Sequence, residues 1–239
     1  MTKLDEQVYD LAVANRILAR EDVVDGYGHV SIRHPGRADR FFVSCSRSPE
    51  LVEVADIVEV DLDCKPIEAS DRQMYTELPI HAAIYKLRPD VMAVVHSHAY
   101  EVIPYSTSKT KLRPILHSAG VIGHEIPVWD IRDRFGDTDM LVRTMEQGLD
   151  LAARLGRNDV VLMRGHGCVV TAESLPLAVR AAVYLKVNAK VQTEAMAFGE
   201  NRFLSDGEIS AIRGKTAPSG IRRLWEYWAR RCQLPTKVP

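Results

Sequence analysis

Three histidines and one glutamate stand out as residues able to do chemistry. His96-Ser-His98 closes an apolar run, Val91 to Val95, and Gly165-His166-Gly167 follows a second one, Asp159 to Met163. Residues two apart on a strand point to the same side, so His96 and His98 would present both imidazoles to one place. Glycines on both sides of His166 let the backbone turn sharply and bring that ring close. Any one of these side chains alone fits an ordinary loop histidine. Three at strand ends, with a carboxylate, fit a catalytic metal site that keeps a coordination position open. Glu77 is the candidate carboxylate, as fourth ligand or proton carrier. It starts a helix, where the positive dipole end favours its ionised form. One divalent ion per subunit is expected, zinc or manganese first, with iron and cobalt also suited to three imidazoles and a carboxylate.

A second lining is Gly26-Tyr-Gly-His-Val-Ser-Ile-Arg33, a glycine-rich turn entering a strand. By period two, His29, Ser31 and Arg33 share one side of it. Arg33 would hold a carboxylate bidentately or else be a surface cation, and His29 is a second candidate proton carrier. Ser44-Cys-Ser-Arg-Ser48 reads as an anion-binding loop or a polar turn, with Ser44 and Arg47 as candidate substrate contacts. Cys45 has no base beside it in sequence and is not read as a nucleophile. Arg222, Arg223, Trp225, Tyr227, Trp228 and Arg230 would either stack on an aromatic acid or form a subunit contact.

The elements that must position these residues follow from periodicity. Leu4, Val8, Leu11, Ala12 and Leu18 predict an amphipathic helix over 4–20. His29–His34 and 56–62 alternate as strands, and Arg40–Ser44 is the strand returning from the turn at Pro35-Gly36. A helix is expected from Glu77 to Leu87, with His81 on the face of Glu77, then the strand at 91–95. Pro114–His117 and Ile126–Trp129 are expected as short strands, and Thr138–Leu155 as a helix. Residues 159–163 and Cys168–Thr171 pair around the Gly-His-Gly turn. The longest helix runs from Ala172 to about Gly199, capped by Thr171 and Glu173, and the tail, 203–239, carries a helix around Ile221–Arg231. Strand runs interspersed with helices indicate one sheet with helices on its faces, in a single α/β domain over 1–239.

Composition narrows the function. A chain of 239 residues, 46% hydrophobic and 26% charged, suits one ordinary globular domain with a large core. A net charge of -1 gives no support for a nucleic-acid or anionic-membrane partner. No apolar run approaches the ~20 residues of a membrane span. The four cysteines lie far apart with no Cys-x-x-Cys and no signal-peptide pattern, so reduced thiols in the cytoplasm are expected.

Taken together, Gly28-His-Val-Ser-Ile-Arg33, Glu77-Leu-Pro-Ile-His81, Val94-Val-His-Ser-His98 and Gly165-His-Gly167 resemble the class II aldolase/adducin family in order and spacing. Leu185-Lys-Val-Asn-Ala189 resembles it too, and the likeness covers roughly residues 5–200. The resemblance implies a three-layer α/β/α fold around a largely antiparallel sheet, and a homotetramer with sites at subunit interfaces. It makes His96, His98 and His166 the metal ligands. Glu77 becomes the acid/base that also ligates the metal before substrate binds. Members acting on sugar phosphates carry Asn where His29 stands, a Thr-Pro-Ser-Gly-like turn near 44–47, and Ser-Ser-Glu ending at Glu77. Here the sequence reads Ser44-Cys-Ser-Arg47 and Tyr75-Thr76-Glu77, so small phosphate donors are lost and Tyr75 would fill part of their space. Gly-His-Val-Ser-x-Arg with the Ser-Arg-Ser-Pro-Glu loop is similar to another branch. That branch decarboxylates hydroxylated aromatic dicarboxylates, such as 3,4-dihydroxyphthalate or 3-hydroxy-2-methylpyridine-4,5-dicarboxylate. The expected activity is therefore metal-dependent decarboxylation of such a small aromatic acid, with Tyr75, Arg33, Ser44 and Arg47 lining its pocket. The rivals are a sugar-phosphate aldolase or epimerase, a non-catalytic adducin-like binding protein and, fourth, a metal-dependent oxygenase.

Overall fold

The computed structural model describes residues 2–69 and 71–232; the end of the expected tail, 233–239, lies outside them. Among the described residues seven strands form one sheet. They are β1 (His29–Arg33), β2 (Arg40–Ser44), β3 (Ile57–Asp61), β4 (Ala93–Ser97), β5 (Val128–Trp129), β6 (Val160–Met163) and β7 (Gly167–Ala172). Their order across the sheet is β3-β2-β1-β4-β7-β6-β5, antiparallel throughout except for the β5–β6 edge pair. The helices are α1 (Lys3–Arg20), α2 (Leu78–Leu87), α3 (Ile103–Thr107), α4 (Arg132–Phe135), α5 (Met145–Leu155), α6 (Leu175–Met196), α7 (Asp206–Gly214) and α8 (Pro218–Arg231).

The pleat explains why the central strands read as unbroken apolar runs. Val95 and Val170 belong to a core shared with Leu11 and Ile17 of α1 and Leu185 of α6. Their chain neighbours Val94 and Val169 belong to the opposite core, with Ile80 and Ile84 of α2 and Leu151 of α5. Alternate side chains leave the sheet on opposite faces, and here both faces are covered by helices. The result is the expected α/β fold in three layers, α/β/α, with a largely antiparallel sheet.

Several elements differ from their expected bounds. β4 runs two residues later than 91–95, because it is laddered on both sides: His96 faces His29 of β1 and Val169 of β7. His96 thus lies inside a central strand, and His98 just beyond its end. The helix expected from Thr138 begins only at Met145. Thr144 is extended (φ -120°, ψ 154°), its hydroxyl accepts from the Gln147 N–H, and Gln147 accepts from the Thr144 N–H. This reciprocal cap stops the helix from growing backwards. Pro114–His117 is not a strand. The Arg113 and Ile115 N–H groups are instead taken by the Gln192 and Asn188 side chains of α6. α6 starts at Leu175 after Ser174, leaving Thr171 inside β7, and the described part of the tail holds two helices rather than one. No helix among the described residues is long and apolar enough to cross a membrane.

Candidate metal centre

Two β-strand ends and one helix start meet at a single point. His96 comes from β4, His98 from the residue after it, His166 from the turn between β6 and β7, and Glu77 from the residue preceding α2. One donor atom from each lies within 4.8 Å of all the others. His98 Nε2 is 3.1 Å from both His96 Nε2 and His166 Nε2. Glu77 Oε2 is 3.5 Å from His96 Nε2 and 3.6 Å from His166 Nε2.

The chain builds this convergence with backbone. Gly165 turns at φ +62°, in the left-handed region that glycine enters freely. At Gly167 a Cβ would collide with the Ser97 carbonyl, so only glycine lets β7 run this close to the His98 backbone. His96 Nδ1–H donates to the Cys168 carbonyl at 3.1 Å, and His166 Nδ1–H donates to the Met140 carbonyl at 3.0 Å. Glu77 Oε1 accepts the Val142 N–H at 2.9 Å. Carbonyls and N–H groups that fix ring tautomers and carboxylate orientation are the usual outer support of a metal site. Two of them come from the 138–144 segment, where a helix was expected.

The donor set fits a divalent ion. Because His96 and His166 carry their protons on Nδ1, both present bare Nε2 lone pairs inward. His98 Nε2 can donate a proton to only one of them, so at least one 3.1 Å contact between nitrogens sets lone pair against lone pair. A cation among them removes that conflict. Imidazole nitrogens on a tetrahedral zinc sit roughly 3.3 Å apart, close to the spacing found here. Burial and the neighbouring imidazoles lower His98 to about 4 and lower His166 also, keeping their rings neutral as metal ligation requires. At Glu77 burial opposes the charge, while any inward proton on the His96 or His166 ring and the Val142 N–H favour it, and the balance holds the carboxyl at about 2.

Beside the cluster runs a chain of buried polar groups. The His29 ring lies 5.0 Å from His96 and 4.6 Å from Tyr75. His29 Nδ1 is 2.6 Å from His81 Nε2, His81 Nδ1 is 2.6 Å from Ser31 Oγ, and Ser31 Oγ is 2.8 Å from the Tyr85 hydroxyl. Burial and the surrounding imidazoles hold His29 well below the usual histidine range, and burial lowers His81 to about 3. His81 was legible only as a residue on the face of Glu77. Its link to His29 needs α2 packed across β1.

The expected substrate contacts divide. Tyr75 lies over His29, donates to the Arg47 carbonyl at 2.6 Å and accepts from Ser44 Oγ at 2.9 Å. It therefore closes the 44–47 turn and takes up the Ser44 hydroxyl. The Arg47 guanidinium pairs with Asp56 at 3.1 Å. Arg33 corrects the expectation of a carboxylate clamp. It shares its side of β1 with His29 and Ser31 but sits at the far end of the strand. There Nε donates to the Val91 carbonyl, Nη1 to Ala38, and Nη2 to both Tyr85 and Arg88. At 5% exposure, four of its five N–H groups are spent on backbone.

A cavity of about 450 Å³ opens at His98, lined by Asp25, Ser48, Glu50, Tyr100, Glu101 and Lys186 among others. No described residue of the tail lines it. Trp228 packs into the α1/α6 core, and the larger concavities, about 660 and 730 Å³, lie around α6 and α8, apart from the three histidines.

The pattern for the class II aldolase and adducin N-terminal domain matches residues 9–193. The chain belongs to that family. Decarboxylase tropJ of Talaromyces stipitatus is 35% identical over 237 residues, covering 90% of this chain and 89% of its own. The 3,4-dihydroxyphthalate decarboxylase of Arthrobacter keyseri is 29% identical over 233 residues, covering 91% of this chain and 90% of its own. These relatives match the suspected hydroxyaromatic decarboxylase branch. Among solved structures, an aldolase II superfamily protein from Pseudomonas syringae shares the fold. Its TM-score is 0.81 at 23% identity, over 97% of this chain and 94% of that one.

Proposed function

We propose that this family member is a metal-dependent, non-oxidative decarboxylase of a hydroxylated aromatic dicarboxylate such as 3,4-dihydroxyphthalate. The observation that carries the reading is Tyr75. Its ring on His29, and its hydroxyl on Ser44 and the Arg47 carbonyl, fill the turn where a sugar-phosphate enzyme needs free small donors. A flat aromatic acid needs no such cup. The similarity to two named decarboxylases over nine-tenths of the chain supports the same choice.

His96, His98 and His166 would hold the ion, with Glu77 as fourth ligand until substrate arrives. Bound there, a divalent ion supplies Lewis acidity toward a substrate oxygen. Glu77 is ionised at neutral pH, and Oε2 is the oxygen that Val142 leaves free. That oxygen takes the phenolic proton of the substrate and returns it to the ring carbon bearing the departing carboxylate. The electron pair of the breaking carbon–carbon bond then goes back into the ring as CO2 leaves, restoring aromaticity. With Arg33 committed to backbone, the carboxylate that stays needs another donor. The reading goes with a homotetramer of a cytoplasmic protein in aromatic catabolism, and light scattering on the metal-loaded protein would test the assembly.

The deciding experiment is CO2 release from 3,4-dihydroxyphthalate by zinc- and manganese-loaded protein, with His96→Ala as control. Release that vanishes in the control is expected. No release, together with cleavage of a ketose 1-phosphate by the same preparation, would replace this reading with an aldolase.

A further inference from the structure

The buried chain from Tyr85 to His29 has one consistent direction of donation, and it ends at the metal centre. Tyr85 is 2% exposed, and its hydroxyl has Ser31 Oγ as its hydrogen-bond partner among the described residues. A phenol proton buried there must go to Ser31, or it is left unsatisfied, which is costly in an apolar interior. The Arg33 guanidinium, 4.7 Å over the Tyr85 ring, further polarises that hydroxyl as a donor. Ser31, whose Oγ is fully buried with it, then has a single proton and a single remaining partner, His81 Nδ1 at 2.6 Å. Since His81 Nδ1 accepts, its ring proton is on Nε2. That proton donates to His29 Nδ1, also at 2.6 Å. His29 Nδ1 accepts in turn, so the His29 proton is on Nε2. This last N–H has no hydrogen-bond partner among the described residues, and it lies on the edge of the ring away from His81, where Tyr75 and His96 are the neighbouring rings.

We propose that Tyr85, Ser31 and His81 are positioning residues that fix His29 as the neutral Nε2–H tautomer, making it a dedicated hydrogen-bond donor to a carboxylate of the bound substrate. The role expected of Arg33 thus passes to His29, four residues earlier on the same side of β1. Reversing the chain would make His29 Nε2 an acceptor, which repels a carboxylate, and would strand the Tyr85 proton. The direction of the chain therefore selects for anionic oxygen beside the metal. The tautomer follows from the hydrogen bonds alone, whereas the carboxylate rests on the decarboxylase reading. The two are tested separately.

The tautomer is read in zinc-loaded protein labelled with 15N-histidine, from long-range proton–nitrogen correlations of each ring. The expected spectrum shows His29 protonated on Nε2 and His81 protonated on Nε2. A wild-type His29 protonated on Nδ1 overturns the proposal, and no variant needs to fold for that result. The donor role is read with phthalate, a non-reacting dicarboxylate, by calorimetry. Tyr85→Phe and His81→Phe should mix the His29 tautomers and weaken phthalate roughly tenfold, the loss of about one charge-assisted hydrogen bond. His81→Gln, whose amide can donate from the Nε2 position, should recover most of that affinity. Phthalate affinity unchanged in both Phe variants overturns the donor role. Failure of wild-type protein to bind phthalate, with the Nε2–H tautomer present, overturns the carboxylate assignment and the decarboxylase reading while the positioning chain stands.

Discussion

Replacing Arg33 by Met tests whether this arginine belongs to the substrate or to the fold. The guanidinium makes four hydrogen bonds of 2.8–2.9 Å to the carbonyls of Ala38, Tyr85, Arg88 and Val91. Those carbonyls tie the β1–β2 turn to the end of α2 and the entry to β4. Met keeps most of the apolar stem and removes every donor. Taking ~1 kcal/mol for each lost bond, the ordinary net value of a hydrogen bond, gives a loss of about 4 kcal/mol. That is about a quarter or more of the roughly 5–15 kcal/mol that holds a typical domain together. With a urea dependence near 3 kcal/mol per molar, the unfolding midpoint should fall by about 1.3 M. The assay is urea unfolding followed by tryptophan fluorescence, paired with KM measured on the folded fraction. A midpoint within 0.3 M of wild type (about 1 kcal/mol at that slope), with KM raised tenfold, would refute the reasoning and return Arg33 to the substrate.

Zinc at a hundred times its dissociation constant should stabilise the chain by about 2.7 kcal/mol, a gain abolished by chelator or by His166→Ala in thermal melts. The Gly167→Ala change places a Cβ against the Ser97 carbonyl and should lower both thermal stability and zinc affinity; an unchanged melt in the metal-loaded protein would contradict the close approach. His81 is neutral and buried, with its folded value at about 3 against 6.5 in the free side chain. The unfolded chain therefore binds the extra proton first. Stability from this group is complete above pH 6.5 and is lost as pH falls toward 3, at up to about 1.4 kcal/mol per pH unit. Urea unfolding at pH 7, 6 and 5 should show that slope, reduced by one proton in His81→Gln; an equal slope in the variant would remove His81 as its source.

Much of the architecture was legible along the chain. Alternation located β1 and β3 almost to the residue, the turn at Pro35-Gly36 located β2 as the returning strand, and the heptad-like spacing of Leu4, Val8, Leu11 and Leu18 located α1. Those signals are local, set by which side chains must share one face. The misplaced elements were decided by partners distant in sequence. β4 extends to Ser97 because both of its neighbours ladder it that far. The 111–115 segment is held by the amides of α6 rather than by a strand, and 138–144 stays irregular because Thr144 and Gln147 cap the helix behind it.

The sequence by itself determined which side chains could meet at a metal: His-x-His and Gly-His-Gly at strand ends, with Glu77 before a helix, are short-range patterns whose geometry follows from strand period and glycine turns. It could not determine what those side chains are tied to. The tautomers of His96 and His166 depend on the carbonyls of Cys168 and Met140, the carboxylate of Glu77 on the N–H of Val142, and the proton of His29 on a chain through His81 and Ser31 to Tyr85. All six of these bonds join residues 26 to 72 positions apart, and hydrogen bonding at 3 Å has no signature in a sequence until the sheet and its helices have closed around it. The same holds for Arg33, whose spacing places it beside His29 and Ser31 on one strand face, while the surrounding carbonyls, known only from the packed structure, claim it for the fold.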